Sequence, residues 1–379
     1  MKSPVVAADQ FVAQTLCATA PAWPSTMDVE VVAERIEYHG VSVLLVDNNL
    51  PGADWPKPLV ERVRAGAMAG ALWEMSHAHA LAQLLKALNE AKIQPLMLKG
   101  SALAYTLYAD PAARSRGDSD LLIPISEKAR AFEVFNQLGY HGEETPGEQI
   151  SYQINFVRTL PGGHQHVIDL HWAISNSMVL AKTFSYSELM ETSVSFNILG
   201  EPARRSSWVN SMLFACMHRA THEQSPYYVD GNVHHGGDRL IWLMDLHLLA
   251  QRFTPEDWNL LVEAAQKKGL PQTCLSSLQM AKATLQTDLP DALLTRLNEG
   301  ERIGTADRYL RMGHRGRRWS NVVAQPNMFL SAKHVFQAIF PPESIVRNQY
   351  PNRSRDWLPL LYLRRLIDFN KKRDGGDIH

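Results

Sequence analysis

One segment constrains the fold of this chain more than any other. A strand-like apolar run ends at Leu98 and leads through Gly100-Ser101 into a short helical stretch. A second apolar strand then opens with Asp118-Ser119-Asp120. Because side chains alternate along a strand, Asp118 and Asp120 project to the same face. This arrangement predicts a site for Mg²⁺ and the phosphates of a nucleotide, and thereby nucleotidyl transfer.

Each part of this segment also has a simpler interpretation. Glycine lets backbone N–H groups approach a phosphate, and a helix N-terminus adds a positive dipole, but Gly100-Ser101 could equally be an ordinary strand-to-helix turn. Two ionised carboxylates on one strand face repel each other unless a cation lies between them. Asp118 and Asp120 could instead be a solvated pair on an edge strand.

A third carboxylate should come from a neighbouring strand, and Asp169 is the best candidate. It lies in the apolar run Val167–Trp172, where an unpaired carboxylate would be costly. Asp169 could bind a second metal ion and accept the proton of an acceptor hydroxyl. The alternative is a strand-end aspartate that is hydrogen-bonded to the backbone.

The bulk composition indicates an ordinary globular protein of about two to three domains. The 379 residues are 45% hydrophobic and 20% charged, with a net charge of -1. This balance offers no global attraction to nucleic acid or anionic lipid. Cys17, Cys216 and Cys274 are too widely spaced for a disulfide framework or a CxxC site, and no apolar run approaches a membrane span. We therefore expect a cytoplasmic protein without membrane contact.

Hydrophobic periodicity predicts an α+β core followed by a mainly helical region. The expected strands are Val41–Val46, Pro95–Leu98, Leu121–Ile125, Tyr152–Leu160, Val167–Trp172 and Val194–Leu199. The expected helices are Leu59–Ala91, Ser126–Leu138 with Ser126 as N-cap, Trp208–Thr221, Asp238–Gln251, Pro255–Lys267, Pro271–Leu285, Pro290–Ile303, Ala332–Ile339 and Leu358–Phe369. We divide the chain into an N-terminal segment (1–56), the α+β core (57–204), a helical substrate or acceptor region (205–370) and a disordered tail (371–379).

Several motifs resemble one known family. In chain order they are Leu98-Lys99-Gly100, Arg114 to Leu122 with its Asp-x-Asp, Asp169 to Trp172, and Trp242 to Leu246. The C-terminal stretches Phe340 to Glu343, Tyr350-Pro351 and Leu361 to Arg365 belong to the same pattern. Together they are similar to the uncharacterised nucleotidyltransferase family of the polymerase-β-like nucleotidyltransferase superfamily, over roughly residues 60–370.

The resemblance implies a mixed sheet with flanking helices and Mg²⁺-dependent transfer of a nucleoside monophosphate from an NTP, with Mn²⁺ as the alternative ion. It assigns Gly100 and Ser101 to the triphosphate, Asp118 and Asp120 to both metal ions, and Asp169 to the catalytic metal and the base. Ser119 departs from the apolar residue that is usual between the two acids. The acceptor is not identified; a small molecule, a sugar or a peptide is expected.

Other polar residues could support this site. Lys99 and Arg114 flank the carboxylates in sequence and could contact phosphate, or they could be surface cations paired with acids. The candidates for an acceptor pocket are His171, His218, His222 and Asp245. Asp245 could instead be a buried aspartate that is satisfied by a neighbouring histidine or arginine.

Two other functions stay open at this point. His218 and His222 lie one helical turn apart, as in zinc hydrolases, but Arg219 stands where such enzymes have glutamate. A non-catalytic nucleotide-binding or scaffold protein would carry the same fold. The basic cluster from Arg311 to Arg318, followed by Trp319, could contact RNA or be a solvated face, so nucleic acid is not an expected partner but stays open.

Overall fold

The computed structural model describes residues 3–17, 21–47, 54–223, 225, 227–229, 232–234, 236–299 and 303–371. The helices are α1 (Pro4–Leu16), α2 (Val29–His39), α3 (Ser42–Asp47), α4 (Lys57–Glu90), α5 (Lys99–Thr106), α6 (Lys128–Gln137), α7 (Met178–Ala181), α8 (Tyr186–Glu191), α9 (Trp208–His222), α10 (Leu240–Arg252), α11 (Pro255–Lys268), α12 (Pro271–Leu285), α13 (Leu293–Asn298), α14 (Thr305–Arg311), α15 (His314–Val323), α16 (Met328–Ile339), α17 (Glu343–Gln349) and α18 (Leu358–Lys371). The strands are β1 (Leu96–Leu98), β2 (Ser119–Leu122), β3 (His141–Gly142), β4 (Gln153–Thr159), β5 (Gln165–His171), β6 (Val194–Ile198), β7 (Glu201–Arg205), β8 (Tyr227–Val229) and β9 (Asn232–His234).

Strands β1 to β7 form one mixed sheet in the order β3-β4-β5-β2-β1-β7-β6. The pairs β1–β7 and β2–β5 are parallel, and the other neighbours are antiparallel. Strands β8 and β9 form a separate hairpin between α9 and α10. The predicted α+β class, with a mixed sheet and flanking helices, is confirmed.

The two faces of the sheet belong to different hydrophobic cores. Leu96, Leu98 and Leu122 pack with the helices of the C-terminal half. Met97 and Leu121 point the other way and pack with α6 and the second half of α4. Strand alternation therefore decides which side chains face the helical region and which face α4.

Local sequence signals set the ends of several predicted helices. Thr254 caps α11 by accepting a hydrogen bond from the Asp257 backbone, while the Asp257 carboxylate accepts one from the Thr254 N–H. Gly269 ends this helix with a left-handed φ of +69°. This reciprocal box and a C-terminal glycine are the expected start and stop signals.

The predicted strand at Val41–Val46 is wrong, because this segment forms α3. Val41 and Leu45 lie about one helical turn apart and are both fully buried. A short apolar run buries residues equally well as a strand or as a helix, so periodicity alone does not separate them.

Two predicted helix boundaries in the chain are also wrong. Ser126 lies in a 3₁₀ turn (Ile125–Glu127) and does not cap α6, which begins at Lys128. The helix predicted over Pro290–Ile303 is only α13, and residues 300–302 lie outside the described part of the chain. Most of the predicted disordered tail also lies outside it, and the division into domains stays a prediction.

Among the described helices, none is both long enough and apolar enough to cross a membrane. Cys17, Cys216 and Cys274 are free thiols in the structure.

Candidate active site

Strand β1 and helix α5 meet without a loop, and Lys99 makes the junction. The strand ends at Leu98, and the helix begins at Lys99 with a φ of +51°. This left-handed conformation is uncommon for a residue that has a Cβ atom. Gly100 and Ser101, predicted as a turn before the helix, lie in the first turn of α5 instead. The first N–H groups of a helix lack partners within it, so this end suits an anion.

Two predicted carboxylates meet in the centre of the sheet. Asp120 of β2 pairs in register with Asp169 of the parallel strand β5, so both side chains leave the same face. His171 follows two residues later on β5 and shares that face. The side-chain ligand atoms of Asp120, Asp169 and His171 all lie within 4.8 Å of one another. The sequence analysis assigned His171 to an acceptor pocket. Its position two residues after Asp169, and so on the same face of the strand, was the signal that it belongs to this cluster.

Asp120 is the anionic centre of this cluster. Its Oδ1 atom accepts hydrogen bonds from Lys99 Nζ at 2.5 Å and from His171 Nε2 at 2.8 Å. Burial opposes the charge of Asp120, but the Lys99 ammonium and the His171 hydrogen bond outweigh it and hold the pKa of this carboxyl well below its usual range. Burial also lowers the pKa of His171, which favours the neutral imidazole. Asp120 is therefore ionised beside a neutral histidine.

The other two carboxyl groups, of Asp118 and Asp169, have raised pKa values. Burial, and then the charge of Asp120, raises the pKa of Asp118 to about 6. Burial, and then the charges of Asp118 and Asp120, raises the pKa of Asp169 to about 8. Three carboxyl groups repel one another when all are ionised, and the charges of Lys99, Arg114 and Arg116 offset this repulsion only in part. A divalent cation would remove this conflict, and oxygen donors suit such an ion.

Gly100 and Ser101 hold the loop that leads to β2. Ser101 Oγ donates to the Asp118 carbonyl oxygen at 3.2 Å. A Cβ atom on Gly100 would lie 2.9 Å from Arg114 Nη2, so only glycine leaves room for this guanidinium. Both residues thus position neighbours of the carboxylates, in addition to any contact with phosphate.

Arg114 lies in a buried ion pair with Asp245 of α10. Its Nε donates to Asp245 Oδ1 and its Nη2 to Asp245 Oδ2, each at 2.8 Å. Tyr108 donates to the same Oδ1 at 2.8 Å, and Arg114 is 5% exposed. Arg114 is therefore a cation paired with an acid, and Asp245 is a buried aspartate whose oxygens accept hydrogen bonds from Arg114 and Tyr108.

A small cavity between α5, α9 and α10 adjoins Lys99. Its polar lining comprises Lys99, Arg114, His218 and Asp245, with Trp242 as an aromatic wall. The rings of His218 and His222 lie 4.6 Å apart, and His222 stacks on Trp242. Burial, and then the charge of His222, holds the pKa of His218 far below its usual range. Within the described residues, no third His, Cys, Asp or Glu joins these two histidines in a metal-binding group, so the zinc alternative gains no support.

Ser119 has a partner on the opposite face of the sheet. It is fully buried, and its Oγ lies 2.8 Å from His77 Nε2 of α4. Ser119, which stands where an apolar residue is usual, therefore has a polar partner, His77, on the helix that covers this face of the sheet. Glu74, also on α4, forms an ion pair with Arg116 in the loop before β2, with 2.7 Å between Glu74 Oε2 and Arg116 Nη2.

The basic cluster is split between inward and outward side chains. Arg317 of α15 is buried and donates from Nε to the Tyr309 carbonyl oxygen at 3.2 Å. Its Nη1 donates to Ser225 Oγ at 3.1 Å. Arg311, Arg315 and Arg318 are exposed. Part of this cluster therefore holds the fold together.

The sequence matches a family model described as uncharacterised nucleotidyltransferase over residues 25–286, more than half of the chain. The chain belongs to this family, and the predicted class of protein, a nucleotidyltransferase, is confirmed. The match begins before the expected limit near residue 60. It ends before the C-terminal motifs that were assigned to the same pattern.

The chain is similar to several solved structures, and two of them show the level of similarity. An antigenic nucleotidyltransferase-like protein from Paracoccidioides brasiliensis has 15% identity and a TM-score of 0.39, and the similarity covers 58% of this chain and 96% of that one. The antibiotic-resistance factor ANT(2'')-Ia has 14% identity and a TM-score of 0.35, with coverage of 55% and 98%. None of the curated proteins matches the chain. The family match therefore carries the assignment.

Proposed function

We propose that this protein moves a nucleoside monophosphate from an NTP to an acceptor hydroxyl, with a divalent ion at Asp118, Asp120 and Asp169. The observation that carries the proposal is that Asp120 and Asp169 lie side by side near the N-terminus of α5. Asp118, the residue before β2, lies outside this close group but near enough for its charge to raise the pKa of Asp169. A cation site next to a helix N-terminus can bind a triphosphate in two ways, because the ion and the helix N–H groups each contact phosphate oxygens. Membership of the nucleotidyltransferase family supports the same reaction class.

The three carboxyl groups would hold the ion, with Mg²⁺ as the first candidate. Their chemistry fits, since oxygen donors are what Mg²⁺ and Mn²⁺ accept. Burial and the neighbouring carboxylates raise the pKa values of Asp118 and Asp169, and a bound cation would lower both. When bound, the ion supplies charge neutralisation for the transferred phosphoryl group.

The first turn of α5 would bind the triphosphate. Lys99 Nζ is held by Asp120, and the side chain is 30% exposed, so it can turn toward a phosphate. We assign the Gly100 and Ser101 backbone N–H groups to phosphate, because the Ser101 hydroxyl already donates to Asp118. The guanidinium of Arg114 lies against Gly100 and would add positive potential near the first turn of α5.

The acceptor would enter from the helical region. Burial and its charged neighbours raise the pKa of Asp169 to about 8, so this carboxyl is mostly protonated at neutral pH. It would accept the proton of an acceptor hydroxyl once a bound ion lowers that pKa. His218 and Asp245 line the cavity beside Lys99, and His222 stacks on its aromatic wall. The volume of this cavity is about 20 Å³, room for about one water molecule. A small molecule, a sugar or a peptide side chain would therefore bind here only if the walls of the cavity move apart.

Asp118→Asn and Asp120→Asn test the proposal. We expect each variant to lose Mg²⁺-dependent NTP binding, measured by calorimetry, and pyrophosphate release, measured with labelled NTP and host extract as the source of acceptor. Removing a ligand charge should not unfold the protein, so circular dichroism should match that of the wild type. Glu133→Gln, an exposed carboxylate on α6, is the matched control and should bind normally. Full activity in both aspartate variants would show that the site is misassigned.

The same assay separates an enzyme from a scaffold. Metal-dependent NTP binding without pyrophosphate release, on any acceptor or on the protein itself, would identify a non-catalytic nucleotide-binding protein. Binding with release identifies a transferase, and the labelled adduct then identifies the acceptor.

A further inference from the structure

We propose that His171 is itself a ligand of the bound ion, through Nε2, and that the site consequently binds Mn²⁺ in preference to Mg²⁺. The inference rests on the proposed function, because it refines the metal site described there. His171 lies at the end of β5 and is 1% exposed. Its place is fixed by the sheet, so the nitrogen is held beside the carboxylates before any ion binds.

The spacing of the donor atoms fits a single cation. His171 Nε2 lies 2.8 Å from Asp120 Oδ1, and an oxygen of Asp169 completes the group within 4.8 Å. With metal–ligand bonds of about 2.1 Å, neighbouring ligands of an octahedral ion lie about 3 Å apart. Asp120 and His171 are therefore already at the separation that two adjacent ligands of one ion require. Binding through Nε2 uses the other neutral tautomer, in which the proton now shared with Asp120 lies on Nδ1.

A cation already lies against this pair of atoms. The Lys99 ammonium is 2.5 Å from the same Asp120 oxygen that faces His171. Its side chain is long and partly exposed, so it can leave when a divalent ion enters. The movement would bring its charge to the incoming triphosphate. Lys99 thus balances the charge of Asp120 in the absence of the ion.

The nitrogen donor makes the site selective. Mg²⁺ is a hard ion that prefers oxygen ligands and keeps much of its water. Mn²⁺ also takes oxygen ligands and is the weakest binder of the first-row transition series, but it accepts an imidazole nitrogen more readily than Mg²⁺ does. A site of carboxylates alone would discriminate less between the two ions.

Spectroscopy of the intact protein tests the coordination directly. Bound Mn²⁺ should show nitrogen hyperfine coupling in electron spin echo envelope modulation, because a coordinated imidazole nitrogen lies in its first shell. The signal should disappear in His171→Gln and persist in His218→Gln, the variant of a second histidine close to Lys99. Absence of nitrogen coupling from the wild-type spectrum would overturn the inference whether or not the variants fold.

Affinities distinguish a ligand from a residue that only orients Asp120. Loss of the ligand in His171→Gln should lower the affinity for Mn²⁺ at least about tenfold and that for Mg²⁺ much less, as measured by calorimetry. Equal loss for both ions, or a wild-type spectrum without nitrogen coupling, would overturn the inference and leave the carboxylate site intact. If the wild type binds neither ion, or if Asp120→Asn binds both ions normally, the proposed function itself fails.

Discussion

At the residue scale, Asp169 is the group whose protonation depends most on its neighbours. Asp118 and Asp120 lie close to it, and Gln153 Nε2 donates to its Oδ2 at 3.1 Å. Burial and the two charges raise its pKa to about 8, well above that of a carboxyl group in an unfolded chain. The folded protein therefore keeps a proton that the unfolded chain releases.

This difference predicts how stability changes with pH when a chelator keeps the protein free of metal. Between about pH 4 and pH 8 the folded state binds more protons than the unfolded state, so the free energy of unfolding falls as the pH rises. Asp169→Asn removes this effect, since asparagine resembles the protonated acid. At pH 9 we expect the variant to be more stable than the wild type by at least about 1 kcal/mol, near the value of one pKa unit. At pH 5 the difference should be small.

Urea unfolding of both proteins at the two pH values measures this prediction. Glu133→Gln, which removes an exposed carboxylate, should change stability equally little at both. A pH-independent effect of Asp169→Asn would mean that Asp169 is ionised throughout this range.

At the element scale, β2 carries different chemistry on its two faces. Asp120 faces the helical region, and Ser119 faces α4, where it meets His77. Arg116, in the loop before β2, is held by Glu74 of the same helix. Helix α4 therefore holds β2, the strand that carries Asp120, through contacts on the face of the sheet opposite to Asp120.

This contact predicts a double-mutant result. Ser119→Ala leaves the His77 nitrogen without its partner in a buried place and should destabilise the protein by about 1–3 kcal/mol. When both partners become apolar, as in His77→Met combined with Ser119→Ala, part of that loss should be recovered. Chemical unfolding of the wild type, both single variants and the double variant gives the interaction energy. Strictly additive effects would mean that the two side chains do not interact.

At the scale of the whole molecule, one ion pair joins the sheet to the helical region. Arg114 precedes β2, and Asp245 lies on α10, 131 positions later. Both side chains are 6% exposed, and Tyr108 adds a third hydrogen-bonding group. Burial of such a pair leaves each charge dependent on the other.

Asp245→Asn should therefore be strongly destabilising, by about 3–5 kcal/mol, because it leaves the Arg114 charge buried without its counter-ion. The control is Glu343→Gln, which breaks the more exposed Glu343–Arg347 pair of α17 and should cost no more than about 1 kcal/mol. Thermal unfolding of the two variants compares them. Similar effects in both would show that the Arg114–Asp245 pair does not join the two parts of the molecule.

Several helices and strands could be predicted from the sequence, but α1 and α2 of the N-terminal segment were missed. Helix α12 has the predicted bounds, Pro271–Leu285, and strands β4 and β5 overlap the predicted strands Tyr152–Leu160 and Val167–Trp172. Strand β7 (Glu201–Arg205) was missed, since it contains proline and three charged residues. It forms because β1 and β6 supply hydrogen-bonding partners on either side and Ala203 packs in the core.

By itself, the sequence determined the family and which acids share a strand face, because strand alternation is a local property of the backbone. Only the tertiary structure decided which acids become neighbours, since the register of β2 on β5 places Asp120 beside Asp169 and brings His171 to both. It also decided that Lys99 contacts Asp120 while Arg114 binds Asp245. The partner of a long charged side chain depends on elements far apart in the sequence, and no local pattern records it.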